Sequence, residues 1–235
     1  LTGEIRLGTT EGRFRILMPN ILSEFMREYP GIHLNIVSAA SPDLQDMLLN
    51  NRLDLAVFGK PIKASPFIRY TEVLSERLYL VISDNMLKDR FDEAFPACKE
   101  ELLKGADLKL FQGVPFALNL PGFNSSRLIE QHLSRIGAEL ECIHISSHPD
   151  LHHMMSARDY AASFCLTMYL PSLQKINEEN GYPLNVFPIR GLRETNPLVI
   201  ASLQSRSFPR HAAALIRLIS RNCRAFAAYD IPYQS

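Results

Sequence analysis

A repeated pattern of strands and helices constrains the fold of this 235-residue chain more than any other feature. Residues 147–155 (SHPDLHHMM) echo residues 40–48 (ASPDLQDML), and Pro149 and Pro42 stand 149 − 42 = 107 positions apart. The flanking apolar runs keep the same offset: 34–38 with 141–145, and 53–59 with 160–166. The alternative is chance, because x-Pro-Asp is a common helix start. Three segments in one register favour two similar βαβαβ units.

The first unit shows the clearest periodicity. Apolar residues between Phe14 and Tyr29 keep helical i, i+3, i+4 spacing for four turns, which predicts an amphipathic helix after a strand at residues 5–8. Pro19 must lie near the first turn of this helix or kink it. Ser41 and Pro42 then suit the N-cap and first position of a second helix. Strands that alternate with helices predict a parallel sheet.

The remaining elements indicate how the two units are connected. Residues 209–226 predict a last helix that packs on the first unit, which is otherwise one helix short. The economical topology is a first lobe of residues 1–75 plus 184–235, with a second lobe of residues 76–183 inserted. This α/β fold has two Rossmann-like lobes joined by two crossover strands, as in type 2 periplasmic binding proteins. Such proteins hold a ligand between lobes that close around it.

Composition limits the classes of function. Lys plus Arg and Asp plus Glu both number 25, so the basic excess typical of a nucleic-acid-binding domain is missing. We therefore expect this chain alone not to bind duplex DNA. Apolar runs are too short for a membrane helix, and no signal peptide is visible. The chain begins with Leu1, so we expect an upstream signal peptide or domain to have been removed.

Four scattered cysteines, Cys98, Cys142, Cys165 and Cys223, form no C-x-x-C pair. They favour reduced thiols in a cytoplasmic protein, and two disulfides in an exported protein are the alternative. We find none of the common catalytic or nucleotide-binding motifs, so we expect neither an enzyme nor a cofactor.

A histidine cluster raises the question of a metal site. His148 and His152 are four residues apart, but Pro149 lies between them, and His144 belongs to the preceding strand. His153 completes the cluster. No Cys, Asp or Glu stands at a recognisable metal-binding spacing from these four histidines, so we expect no metal. His148, which takes the place of Ser41 in the second lobe, is better suited to donate hydrogen bonds in a pocket.

Motifs over residues 1–60 resemble the effector-binding domain of LysR-type bacterial transcription regulators. They are GEIRLG from Gly3, LMP from Leu17, Phe25 with YPGI from Tyr29, and RLDLA from Arg52. Leu78–Ile82, Leu108 and the YLP from Tyr169 fit more weakly. Residues 84–109 are longer and more charged than is usual, and Arg158-Asp159-Tyr160 stands where the family has Gly-x-Gly.

The resemblance implies a cytoplasmic domain that senses a small metabolite, with an organic anion as the expected effector. A winged helix-turn-helix N-terminal to this chain would bind DNA. The domain would form a homodimer in which residues 14–29 meet residues 126–136 of the second copy, and the parent protein would form a tetramer. The alternative function is an extracytoplasmic solute-binding protein of a transport system, which would have the same two lobes.

The resemblance also places effector contacts in the loops that follow the strands of each lobe, where helix N-termini attract anions. Ordinary roles remain open: Ser41 as a helix cap, Thr9 and Thr10 as strand-end residues, and Lys60 as solvated surface. The predicted effector-binding residues are Thr9, Thr10, Gly12, Ser41, Pro42, Lys60, Asn119, Phe123, Ser147, His148 and Thr167.

Overall fold

The computed structural model describes residues 2–181 and 183–231, and the chain forms two compact units. The first consists of the described residues up to Glu76 together with Asn196–Ala228. The second consists of Arg77–Thr195 together with the described residues from Tyr229 onward. The chain therefore passes between the units at 76/77, at 195/196 and again at 228/229, one passage more than the two crossovers that the sequence predicts.

The first unit is built on a five-stranded sheet with the order β2-β1-β3-β10-β4. Strands β1 to β3 are parallel, as predicted, whereas β10 runs antiparallel to β3 and β4. The strands are β1 (Gly3–Thr9), β2 (Ile32–Ser38), β3 (Leu55–Gly59), β4 (Ile68–Glu76) and β10 (Asn196–Leu203).

Three helices belong to this unit: α1 (Glu11–Glu28), α2 (Ser41–Leu49) and α8 (Arg210–Ala225). Pro19 lies inside α1 rather than in its first turn, so the helix lacks the hydrogen bond that this residue would otherwise donate. Gly8 keeps α2 close to β1, because an added Cβ would come within 2.6 Å of Leu44 Cδ2 and 2.5 Å of Leu53 Cδ1. Both leucines are completely buried or nearly so, and they belong to the hydrophobic core beneath α2.

The second unit repeats the strand order of the first. Strands β6 and β7 are parallel, and β5 pairs antiparallel with both β8 and β9. Backbone hydrogen bonds from Ala117 N to Ala162 O (2.9 Å) and from Ala162 N to Pro115 O (2.8 Å) connect β6 to the chain just before β8. The order β7-β6-β8 thus mirrors β2-β1-β3, in agreement with the repeat.

The strands of the second unit are β5 (Leu78–Ser83), β6 (Pro115–Asn119), β7 (Glu141–Ser146), β8 (Ser163–Leu166) and β9 (Leu184–Pro188). Its helices are α3 (Asp84–Phe91), α4 (Cys98–Leu103), α5 (Asn124–Ile136), α6 (Pro149–Ala157) and α7 (Leu170–Asn180). The expected boundary at residue 184 differs from the structure, because β9 pairs with Tyr79–Ser83 along its whole length. The chain returns to the first unit only at Asn196.

Two local features bear on the sequence analysis. At the position of the family's Gly-x-Gly, Asp159 takes the left-handed conformation (φ 63°) that glycine adopts most readily, and its carboxylate accepts a hydrogen bond from Asn85 Nδ2 at 2.7 Å. The four cysteines carry free thiols. Within the described ranges, no helix combines the length and the apolar character that a membrane span requires.

Candidate functional site

The loops after β1, β2 and β3 lie at one edge of the first unit's sheet. Parallel strands end at the same edge, and the register places Thr9 opposite both Ser38 of β2 and Val57 of β3. This edge therefore brings together six of the predicted residues, which follow the three strands in turn: Thr9, Thr10, Gly12, Ser41, Pro42 and Lys60. Lys60 is exposed, and its backbone N–H donates to Pro197 O at 2.7 Å.

Ser41 does not cap α2. The N-cap is Ala40 (φ −67°, ψ 153°), so Ser41 is the first helical residue and Pro42 follows it inside the first turn. Nothing in the described part of the chain forms a hydrogen bond with the half-buried Ser41 hydroxyl. That hydroxyl therefore lies beside a helix N-terminus with its full hydrogen-bonding capacity available to a ligand.

The loop between β1 and α1 carries two further hydroxyls, those of Thr9 and Thr10. Thr9 is completely buried, and its Oγ1 has no hydrogen-bond partner among the described residues, which is uncommon for a buried polar atom. Thr10 is the N-cap of α1, but its side chain does not cap the helix and instead lies 3.4 Å from Arg13 Nη1. The first backbone N–H groups of α1, at Glu11 and Gly12, carry the partial positive charge of a helix N-terminus.

A buried ion pair supports this loop. The guanidinium of Arg13, in the first turn of α1, donates to the carboxylate of Glu76, and Asn196 Nδ2 donates to the same oxygen at 3.0 Å. Glu76 is fully buried, and the side chain of Arg13 is only 8% exposed. Glu76 is the last residue before the chain leaves the first unit, and Asn196 is the first after it returns. The network therefore joins the first two of the three passage points to the first turn of α1.

Sequence reasoning missed this network. Glu76 and Asn196 stand 120 positions apart, and no local pattern connects them. The one available signal is Glu76 itself, which together with Arg77 interrupts the largely apolar stretch 73–82 with charge. A buried charge requires a partner, but the sequence does not say which arginine or lysine supplies it.

The second unit brings four more of the predicted residues to the ends of β6 and β7. Asn119 ends β6 and pairs in register with Ser146 of β7, which Ser147 and His148 follow. His148 is the N-cap of α6, and Phe123 is the N-cap of α5. Asn119 Nδ2 donates to Ser125 Oγ at 2.7 Å, which fixes the start of α5 beside the end of β6.

Thr167 has a different environment from the one predicted. It is fully buried, and its hydroxyl accepts from Arg77 N at 2.9 Å and donates to Asp230 Oδ1 at 3.4 Å. The same carboxylate accepts from the Tyr79 hydroxyl and pairs with Arg77 Nε at 3.2 Å. The Thr167 hydroxyl therefore ties the beginning of β5 to the chain's last described residues, and we do not retain it as an effector contact.

Two members of the histidine cluster, His152 and His153, are buried and uncharged at neutral pH. The pKa of both His152 and His153 is lowered to about 4, chiefly by burial, and the neighbouring His144 contributes to the lowering for His152. His152 Nε2 lies 2.9 Å from Ser146 Oγ, and His153 Nε2 lies 3.3 Å from Phe164 O. Over residues 2–181 and 183–231, no three His, Cys, Asp or Glu side chains are grouped so that they could hold a metal ion.

These histidines predict how stability depends on pH. An unfolded histidine has a pKa of about 6.5, so each folded histidine with a lowered pKa stabilises the protein above pH 6.5, and that stabilisation is lost as the pH falls toward 4. Between pH 7 and pH 5 we expect each to reduce the free energy of unfolding by about 2 kcal/mol. Urea unfolding at the two pH values should show that His152→Gln, whose amide can still bond Ser146, loses less free energy of unfolding between pH 7 and pH 5 than the wild-type protein. An unchanged loss would show that His152 is not the titrating group.

Comparison with known proteins identifies the family. The model of the LysR substrate-binding domain matches residues 1–224. The chain therefore belongs to the LysR substrate-binding domain family, which favours the regulator over the transport receptor. An "HTH-type transcriptional regulator SoxR" from Arthrobacter sp. (strain TE1826) is 32% identical over 122 residues, 52% of this chain and 37% of the relative. The regulator CzcR from Bacillus subtilis (strain 168) is 32% identical over 83 residues, 35% of this chain and 28% of the relative. The matches thus span well under half of these longer relatives.

Solved structures share the fold. The effector-binding domain of QuiR in complex with shikimate has a TM-score of 0.71 and 17% identity, covering 96% of this chain and 99% of that one. The Synechocystis PCC6803 CcmR regulatory domain in complex with 2-PG has a TM-score of 0.73 and 15% identity, covering 94% and 98%. Full-length CbnR bound to its target DNA has a TM-score of 0.65 and 14% identity, covering 94% of this chain and 70% of that one. At these identities the likeness establishes the two-lobe periplasmic-binding-protein-like fold.

Proposed function

We propose that this domain senses a small organic anion and that the bound anion controls DNA binding by the parent regulator. One observation carries the proposal: the N-termini of α1 and α2 lie at the same sheet edge, beside the unused hydroxyls of Thr9 and Ser41. Helix N-termini bind anions through unpaired N–H groups and the helix dipole. Hydroxyls beside them supply further donors to a carboxylate.

The second unit contributes side chains of similar chemistry. Asn119 and Phe123 border the start of α5, and Ser147 and His148 border the start of α6. We propose these four residues as the effector contacts of the second unit. Lys60 adds a cation at the edge of the first unit's sheet.

The energetics suit a metabolite sensor. A hydrogen bond to a charged group is worth about 1.5–3 kcal/mol before desolvation is counted. A few such bonds give micromolar binding, which corresponds to about 8 kcal/mol. Two solved relatives of the same fold carry small molecules, shikimate in QuiR and 2-PG in CcmR, which supports an effector of this size.

A ligand screen tests the proposal. Small carboxylic and phosphorylated acids should include at least one that raises the melting temperature of the chain. The amide or dephosphorylated form of the same molecule, which keeps the shape but loses the charge, should have no effect. If the neutral forms stabilise the protein equally well, the site does not recognise an anion.

We assign DNA recognition to a part of the parent protein outside this chain. We also propose that the parent protein acts in the cytoplasm. The chain has no net charge, and its curated relatives are longer regulators of the helix-turn-helix type. The structure of CbnR with its target DNA likewise comes from a longer protein, and the structural match to this chain covers 70% of it. We propose that effector binding changes the conformation of the domain and that an assembly of dimers transmits this change to the DNA-binding parts.

We expect the domain itself to form a dimer in which α1 of one copy contacts α5 of the other. Helix α1 packs on α8 yet leaves Met26 40% exposed on its free side. An apolar side chain at a self-complementary surface favours association through a twofold axis. Sedimentation at micromolar concentration should give twice the 26.6 kDa of one chain, and Met26→Glu should shift the species to a monomer.

The control for the dimer is Leu49→Glu. Leu49 is 37% exposed on α2, close to the exposure of Met26, but it lies outside the proposed interface. This variant should remain a dimer. A monomeric wild-type domain, or equal dissociation by both variants, would contradict the assignment of α1 to the interface.

A further inference from the structure

The second unit contains a cavity that the proposed effector site does not explain. Its volume is about 160 Å³, and all of its lining residues belong to this unit. Helix α5 forms one wall with Ile129 and Leu133, and the strands form the other with Ala117, Ile145 and Phe164. Ile129 and Ala117 are fully buried, so the cavity reaches into the core of the unit.

The volume fits one six-membered ring. An apolar cavity of about 150 Å³ lined by aliphatic and aromatic side chains binds benzene when it is engineered into a protein core. Here two aliphatic side chains of α5 and the ring of Phe164 are among the lining residues, so this part of the wall is of the same kind. The apolar part of a ligand would therefore be a single ring or a branched chain of similar size.

One end of the cavity is polar. Asn119, Ser125 and Ser126 line it at the start of α5. The hydroxyl of Ser125 accepts a hydrogen bond from Asn119 Nδ2 at 2.7 Å, and a serine hydroxyl has one donor and two acceptor sites. Because Ser125 is only half-buried, its remaining capacity can serve a ligand.

The side-chain charges around the cavity disfavour an anion. Among the described residues that line the cavity there is no lysine or arginine, and the one charged side chain is the carboxylate of Glu130. His152 also lines the cavity, and burial lowers its pKa to about 4, so it adds no positive charge at neutral pH. A carboxylate placed here would lose its water without gaining a counter-charge.

We propose that this cavity binds a neutral, single-ring alcohol or phenol. The ring packs between Ile129, Leu133 and Phe164, and the hydroxyl bonds Ser125. The proposal does not rest on the effector site, because it concerns a ligand of different charge and a set of lining residues that shares only one member with that site. Asn119 belongs to both, so binding at the cavity would also fix the loop between β6 and α5.

Benzyl alcohol and benzoate form the matched pair of probes, since they share the ring and differ in charge. Calorimetry or ligand-observed NMR should show benzyl alcohol binding with a Kd of about 1 mM or tighter. Benzoate should bind at least about tenfold more weakly at this cavity. Leu133→Trp, which fills the cavity from a half-buried position, should weaken benzyl alcohol binding by about tenfold or more. Gln131→Trp, on the exposed face of α5, and Ser41→Tyr should leave it unchanged.

Cysteine alkylation locates the bound molecule without any substitution. Cys142 lines the cavity and is exposed, whereas Cys98 is half-buried and lies elsewhere. Benzyl alcohol should slow the alkylation of Cys142 and leave that of Cys98 unchanged. The proposal is overturned if benzyl alcohol fails to bind at about 10 mM, if benzoate binds equally well, or if saturating benzyl alcohol leaves Cys142 equally reactive.

Discussion

Replacing Ser41 by tyrosine is expected to weaken binding of the anionic effector by about 100-fold or more, which corresponds to about 2.7 kcal/mol. The ring would occupy the space beside the N-terminus of α2 and displace the anion from its N–H groups. The melting temperature of the unliganded protein should barely change, because Ser41 is half-buried and its hydroxyl bonds nothing in the described part of the chain. Calorimetry with an acid found by the thermal screen measures the first effect, and a thermal melt measures the second.

Two variants calibrate this result. Ser41→Ala removes one neutral hydroxyl and should weaken binding by only about three- to tenfold. Leu49→Tyr places the same ring on the exposed surface at the opposite end of α2 and should bind the acid normally. If Ser41→Tyr retains full affinity while the fold is intact, the effector does not lie at the N-terminus of α2.

Removing the Glu76 carboxylate should cause the largest loss of stability. In Glu76→Ala the guanidinium of Arg13 would stay buried without its counter-charge, and breaking a buried ion pair in this way costs about 3–5 kcal/mol. For a domain of this size, such a loss lowers the melting temperature by about 10 °C. Urea unfolding measures the free energy directly. Effector affinity should also fall, since Arg13 lies in the first turn of α1 and contacts Thr10.

Glu72→Ala is the matched control, because Glu72 is an exposed glutamate on the same strand. Its effect should stay within about 0.5 kcal/mol. The double variant Arg13→Met, Glu76→Leu removes both charges and should recover much of the lost stability, since well-packed apolar groups can replace a buried pair. Equal losses in Glu76→Ala and Glu72→Ala would mean that the ion pair does not hold this part of the fold.

The parts of the fold that follow from local pattern were predictable. Helical spacing between Phe14 and Tyr29 predicted α1. The repeat at an offset of 107 residues predicted matching elements in two units, and the strand orders β2-β1-β3 and β7-β6-β8 agree with it. These features depend on neighbours in sequence, so one sequence is enough to detect them.

The parts that depend on distant contacts were not predictable. Strand β9 lies in the second unit because it pairs with β5, about a hundred residues earlier in the chain. Thr167 was expected in a binding loop, but its hydroxyl forms hydrogen bonds with the backbone N–H of Arg77 and the carboxylate of Asp230. The Ser-Pro-Asp pattern predicted the start of α2 to within one residue. The shift of the N-cap from Ser41 to Ala40 matters, because the Ser41 hydroxyl then has no capping role.

Backbone amide NMR during titration with the acid from the thermal screen tests the central claim most directly. The claim is that the anion is held by the first turns of α1 and α2 at the edge of the first unit's sheet. We predict that the largest shifts will fall on the amides of Thr10, Glu11, Gly12 and Ser41, with saturation at the same concentration as the calorimetric binding. Shifts that saturate elsewhere while these four amides stay in place would contradict the account.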